Sequence, residues 1–252
     1  MKTKILLIAG DSHSAGAEIN GAEDSVYNRQ HSFGNHLARY LKYIPVNIAQ
    51  LGITNAGIAR SVLNWFNEQY NPEITEVSVL IGWTESLRLE VPRPKNQKSR
   101  GEYTNRSGDW FDQCNNFYYN MNPGYTGHPD GSEKMLLDEY NRFMVKNESF
   151  IEIMSANFIL QLQYFFQANN IKYLMCNSLH MFTLPNDHLE QYLRLIDHTK
   201  YYQMLSEQDS FYWKFKNLGH ENKKAKFWHH GEEPHRLYAE ELFKYAGETK
   251  CL

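Results

Sequence analysis

Four short apolar runs constrain what this chain can fold into: KILLIAG (4–10), VNIAQLG (46–52), VSVLIGW (77–83) and IKYLMCNSL (171–179). They are rich in Ile, Val and Leu and do not alternate with polar residues, and three of them end at glycine. A strand of that kind must be buried on both faces, which is the condition of strands inside a parallel sheet. Helical patterns separate them. HSFGNHLARYLKY sets Phe33, Leu37 and Leu41 four residues apart. NAGIARSVLNWFNEQY puts Ile58, Val62, Leu63 and Phe66 on one face, with Asn55 in position to cap the helix. Residues 147–168 read as a long helix with Phe150, Ile151, Met154, Phe158, Ile159, Leu162 and Phe165 turned inward, and HRLYAEELFKYA closes the chain as another. Alternating strands and helices predict right-handed crossovers and an α/β fold, a three-layer α/β/α sandwich with a parallel sheet. Ligand sites in such sheets lie at the carboxyl ends of the strands.

With 252 residues, 42% of them hydrophobic, the chain can build one sizeable core, so residues 1–252 read as a single domain. The segment 93–146 breaks the strand–helix rhythm with an irregular insertion rich in Asn, Tyr, Gly and Asp. Its aromatics either stack on sugar rings or pack the insertion onto the domain. A formal net charge of −3 and scattered Lys and Arg speak against nucleic acid as a partner. Cys114, Cys176 and Cys251 form an odd, sparse set without zinc spacing, which favours a reducing compartment over a disulfide framework. The apolar stretch 5–9 is too short for a signal-peptide core or a membrane span. The expectation is a cytoplasmic chain that engages no membrane.

The ends of the runs carry the chemistry. The first run is punctuated by Gly10-Asp11-Ser12, the second by Gly52-Ile53-Thr54-Asn55, the third by Gly82-Trp83-Thr84-Glu85, and the last helix is preceded by Trp228-His229-His230-Gly231-Glu232-Glu233-Pro234-His235. In a parallel sheet these places converge on one edge. A hydroxyl, an imidazole and backbone amides beside glycine are what acyl transfer requires. Taken alone, Ser12 reads first as a helix N-cap, and only the other blocks in order turn the reading toward a nucleophile. The three histidines and two glutamates near residue 230 could be read as a metal cluster. Adjacent side chains in an extended segment point to opposite sides, however, so no metal and no cofactor is expected.

In the order and spacing of these blocks the chain resembles the SGNH/GDSL hydrolases, and more narrowly the divergent GDSL-like proteins often encoded by bacteriophages. Gly10-Asp11-Ser12 matches the first block, and Gly52 the second. The third block is normally Gly-x-Asn-Asp, and here it is Gly82-Trp83-Thr84-Glu85, with Thr84 where an amide donor to the oxyanion usually stands. The last block is normally Asp-x-x-His. Two registers remain open there. With His235 as base, Glu232 three residues earlier replaces the acid. With His229 as base, the register we favour, Lys226 falls at the acid position and a backbone carbonyl is left to orient the imidazole.

The resemblance implies a flavodoxin-like SGNH fold and a serine esterase, with an O-acyl or O-acetyl carbohydrate as the expected substrate and, if phage-encoded, a place in the host cytoplasm or the virion. Ser12 is then the nucleophile. The amides of Ser12 and Gly52 and the hydroxyl of Thr84 would hold the oxyanion, Asn55 is a substitute donor, Trp83 lines the pocket or the core, and Asp11 braces the loop. The departures in the third and fourth blocks raise an alternative, a weakened SGNH scaffold that binds a glycan or a protein. A nucleotide-binding flavodoxin-like domain fits less well, because GDSHSAG lacks both the P-loop Lys and GxGxxG spacing.

Overall fold

A computed structural model describes residues 2–92, 118–121, 138–139, 142, 148–182 and 187–252. Nearly all of the expected 93–146 insertion lies outside the described residues. The elements run β1 (Thr3–Gly10), α1 (Ser12–Ala15), α2 (Val26–Gln30), α3 (Phe33–Leu41), β2 (Ile44–Asn47), α4 (Asn55–Glu68), β3 (Thr75–Trp83), β4 (Leu89–Pro92), β5 (Tyr118–Met121), α5 (Glu148–Ala168), β6 (Lys172–Asn177), α6 (Asp187–Leu193), α7 (Phe211–Asn217) and α8 (Glu232–Thr249). Among the described residues the main sheet has four strands in the order β2-β1-β3-β6, all parallel, and β4 and β5 form a separate antiparallel pair. The expected α/β architecture with a parallel sheet is present.

The two-residue period of the strands explains the three layers. Leu7, Ala9, Val79, Ile81, Tyr173 and Met175 point to one face and meet Ile58, Val62 and Phe66 of α4 and Ile159, Leu162 and Phe166 of α5. Leu6, Ile8, Leu80, Leu174 and Cys176 point to the other and meet Phe33 and Leu37 of α3, Phe211 and Phe215 of α7, and Tyr238 and Leu242 of α8. Both faces are covered by helices, so the middle of each inner strand is almost wholly apolar, with Ser78 a buried exception.

The second strand differs from its expected span of 46–52 and runs over Ile44–Asn47. It is the edge strand, which tolerates Pro45. Beyond Asn47 the chain still donates Ile48 N–H to Ile8 and Gln50 N–H to Gly10, but its outer carbonyls are taken by a side chain: Arg29 donates to Asn47 O and Ala49 O. On α5, Phe150 is 48% exposed and not inward, while Ile151, Ile159 and Leu162 are buried as expected. Among the described residues no helix is long and apolar enough to cross a membrane.

Candidate active site

The strand order reverses between β1 and β3, and the crevice at their carboxyl ends is the natural ligand position of such a sheet. Gly10 and Gly82 are register partners there. Gly10 has φ +154°, and a Cβ added to it would lie 2.2 Å from Ser14 Oγ; one added to Gly82 would lie 2.1 Å from the same atom and 2.6 Å from Ser178 Oγ. The missing side chains open a slot in which the Ser14 and Ser178 hydroxyls hydrogen-bond at 2.9 Å. The short helix α1 thus sits directly on the strand ends, and Ser12 is its first residue.

Ser12 is not the cap of that helix. Asp11 is: its Oδ1 accepts the N–H groups of His13 and Ser14 at 3.1 and 3.4 Å. Burial pushes the Asp11 carboxyl up from its ordinary range, opposed by the Arg88 guanidinium, the Ser14 amide and the Thr84 and Ser178 hydroxyls. The Ser12 side chain is therefore released from capping and points elsewhere. Its Oγ lies 2.9 Å from His229 Nε2. The other ring nitrogen of His229, Nδ1, lies 2.7 Å from Glu18 Oε2.

Glu18 was invisible to the motif reading. The register with His229 as base leaves a backbone carbonyl to orient the imidazole, and Glu232 belongs to the register with His235; His229 instead meets a side-chain carboxylate only six residues after Ser12. That carboxylate is 1% exposed and also accepts the backbone N–H groups of Lys226 (2.9 Å) and Phe227 (3.1 Å). Glu18 adopts φ +59°, a left-handed conformation that costs a non-glycine residue roughly 1–2 kcal/mol. No spacing rule marks it in the sequence.

The remaining candidates are placed as follows. Of the two registers, it is His229 that lies against Ser12. His235 is buried on α8, accepts the N–H of Phe33 at 3.2 Å, and packs on Phe211 with centroids 4.5 Å apart. Burial first, then the neighbouring imidazoles of His230, His36 and His229, hold it well below the ordinary histidine range. Glu232 turns toward α2, where it accepts from Tyr27 at 2.8 Å and approaches His31 at 3.8 Å. His230 diverges from His229 and lies between the carbonyls of His220 and Tyr212 at 2.9 and 3.0 Å.

Asn55 is the first residue of α4, and Thr54 is its cap, accepting from Gly57 N–H. The Asn55 amide is committed to the third loop: Nδ2 donates to Thr84 O (3.1 Å) and Ser155 Oγ (3.2 Å), and Oδ1 accepts Thr84 N–H (3.1 Å). Thr84 is wholly buried, its hydroxyl beside Asp11. Trp83 is wholly buried in the core. Gly52 has φ +69° and lies exposed in the turn after β2, with open space where a side chain would project.

His13, which directly follows Ser12, is 2% exposed. Its ring lies 4.9 Å from that of His229 and 5.6 Å from that of Tyr212, centroid to centroid. Burial, followed by the nearby His229, His230 and Arg88, keeps it well below the ordinary range, so it is neutral at pH 7. The outer lip of this aromatic group is open: Phe227 and Trp228 are 57% and 55% exposed, and Trp228 meets Tyr212 edge-on at 5.3 Å. His128 lies outside the described residues. Among the described residues no group of three or more His, Cys, Asp or Glu is arranged to hold a metal ion.

No protein-family model matches the sequence, and a search of curated proteins found none that matches. Among solved structures, 98% of the chain aligns with 66% of a carbohydrate esterase whose active site is described as having divergent catalytic and non-catalytic binding functions, at 10% identity and a TM-score of 0.49. The acetyl xylan esterase Est2A of the rumen bacterium Butyrivibrio proteoclasticus aligns over 64% of its length and 99% of this chain, at 13% identity and TM-score 0.44. The psychrotrophic esterase EstA of a Pseudoalteromonas species, in a structure inhibited by monoethylphosphonate, aligns over 97% of both chains at 13% identity and TM-score 0.39. The chain spans just under two thirds of the length of the first two.

Proposed function

We propose that the chain is a serine ester hydrolase in which His229 activates Ser12. The observation that carries this reading is the 2.9 Å contact between Ser12 Oγ and His229 Nε2 at the carboxyl end of β1, with the serine freed from capping by Asp11. A hydroxyl is a weak nucleophile until a base within hydrogen-bond reach takes its proton. His229 Nε2 removes that proton as Ser12 Oγ attacks the ester carbonyl, and then delivers it to the alcohol oxygen as the C–O bond breaks. Water enters next and gives a proton to the same nitrogen. The hydroxide attacks the acyl-enzyme, and the carboxylic acid leaves as Ser12 regains its hydrogen.

In this reading the backbone amides of Ser12 and Gly52 hold the oxyanion. The Asn55 amide is already bonded to Thr84, and the Thr84 hydroxyl is enclosed beside Asp11, so neither stands open to a substrate oxygen. An oxyanion hole short of one donor is typically slower by about a hundred- to a thousandfold. The substrate proposed is an O-acyl, most simply O-acetyl, carbohydrate. Trp228 and Phe227 flank the base on its solvent side, and exposed aromatic faces beside a small reacting centre suit the C–H face of a sugar ring. The same enclosure of Thr84 and Asn55 favours a second reading, a scaffold that binds an acylated glycan and turns it over slowly.

Incubation with p-nitrophenyl acetate and with acetylated xylo- and gluco-oligosaccharides, each with and without a serine-directed phosphonate, tests the reading. Turnover, together with a phosphonate adduct mapped to Ser12 by mass spectrometry, is the expected result. Glycan binding with neither turnover nor adduct supports the scaffold.

A further inference from the structure

We infer that Glu18 is the positioning residue of this site: its carboxylate fixes the tautomer of His229 and, through the same two oxygens, holds the loop that carries His229 against the nucleophile turn. The inference rests on the reading of Ser12 and His229 as the reacting pair.

A neutral imidazole carries one N–H. A carboxylate can only accept, so the 2.7 Å contact from Glu18 Oε2 assigns that proton to Nδ1 of His229. Nε2 is then left with its lone pair facing the Ser12 hydroxyl at 2.9 Å, which is the form a general base must have. When His229 takes the serine proton, its new positive charge lies against the same carboxylate. Among the described residues the other carboxylates of this region are engaged elsewhere: Glu232 with Tyr27 and His31, Glu85 with Arg88, and Glu233 near His220.

Three further bonds give Glu18 its second task. Oε1 accepts Lys226 N–H, Oε2 accepts Phe227 N–H, and its backbone carbonyl accepts from Asn222 Nδ2 at 2.8 Å. Lys226 stands three residues before His229, where the resembled family carries its acid; its backbone N–H meets a carboxylate that arrives from another loop. The conformation of Glu18 is one that a side chain makes costlier, so the side chain's bonds must offset that cost. A glycine would adopt φ +59° without strain, yet glutamate stands there, with its own N–H bonded to Ala22 O at 3.0 Å. The device also unites two segments 211 positions apart, so that the base cannot leave the nucleophile without breaking the carboxylate bonds.

The test uses the full chain and the variants Ser12→Ala, Glu18→Gln and Glu18→Asp. It reads kcat and KM on p-nitrophenyl acetate, the rate of Ser12 phosphonylation, the pH–rate profile, and the proton spectrum of 15N-histidine-labelled protein, with folding checked by circular dichroism. Among the described residues the other histidines that act on the base are His13 on α1, His230 and His235 on α8; burial keeps all three below the ordinary histidine range, so each stays neutral across the profile near neutral pH. Glu18→Gln is expected to lower kcat by about a hundred- to ten-thousandfold with KM within about threefold, as for a base left in the wrong tautomer. It should also abolish a strongly deshielded Nδ1 proton on His229, and Glu18→Asp should restore part of the rate. A folded Glu18→Gln protein with native kcat and pH profile overturns the inference while leaving the hydrolase intact. Turnover that survives Ser12→Ala overturns both. Should Glu18→Gln fail to fold, the unaltered protein decides: the deshielded Nδ1 proton supports the assignment, and its absence overturns it.

Discussion

Replacing Gly82 with alanine should displace Ser12, the proposed nucleophile, without touching it directly. The added methyl would lie 2.1 Å from Ser14 Oγ and 2.6 Å from Ser178 Oγ, with Phe33 Cζ at 3.3 Å. Ser14 and Ser178 are wholly buried and have little room to rotate. Forcing a methylene-sized group into a filled interior costs about 1–3 kcal/mol. Separating the buried Ser14–Ser178 hydroxyl pair strands two polar groups at about 1–3 kcal/mol more. Together a loss of about 2–6 kcal/mol lowers Tm by roughly 4–24 °C in a chain of this size.

The catalytic effect should be larger than the thermal one. Ser14 is two residues past Ser12 on a helix of four residues, so relief of the clash moves the nucleophile. A misplacement of about 1 Å costs on the order of a hundredfold in rate. Differential scanning fluorimetry and the rate of Ser12 phosphonylation measure the two effects. The combined variant Gly82→Ala, Ser14→Ala, Ser178→Ala removes both clashing oxygens and should recover most of the stability. A Gly82→Ala protein that melts within about 1 °C of the native chain and labels at the native rate would refute the packing argument.

Three further outcomes follow from the geometry. His229→Ala should lower phosphonylation by about a thousandfold or more, whereas His235→Ala should leave the labelling rate of the folded protein within a few-fold and reduce its urea midpoint, because Phe33 N–H loses its acceptor. Asn55→Ala removes three bonds that fix Thr84 and Ser155 and should cost about 2–4 kcal/mol in urea denaturation. Burial holds His13 and His235 well below the ordinary range and His36 down to about 4, aided for His36 by Arg39, so all three must stay neutral in the folded chain. Unfolded histidines gain a proton near pH 6.5, so stability should be full above that pH and fall below it, by up to about 1.4 kcal/mol per pH unit for each deeply buried imidazole. A Tm that is flat from pH 7.5 to about 5 would contradict this sign.

The helix faces were legible because they are periodic, and the strands because their apolar runs are unbroken. Leu6 and Ile8 against Leu7 and Ala9 alternate between the two layers, and an unbroken apolar run is the direct trace of burial on both sides. The place of Ser12 at the carboxyl end of β1 was legible because the Gly-Asp-Ser turn closes an unbroken apolar run, and the glycines there answer a local steric demand. Boundaries were less so. The second strand is regular only over Ile44–Asn47, and beyond it an arginine from another element satisfies the outer carbonyls; the cap of α4 fell to Thr54 while the Asn55 side chain bonds the loop after β3.

The sequence alone determined the layer order, the edge of the sheet where chemistry could occur, and Ser12 at that edge, because each follows from residues near one another in the chain. The partners of His229 were decided only by tertiary structure. A left-handed glutamate at position 18 leaves no pattern in its own segment, and its reach to a loop 211 residues away depends on how two irregular connections pack. Whether His229 or His235 met the serine was likewise a matter of side-chain direction, fixed by the backbone amides and aromatic rings that surround each imidazole in the folded chain.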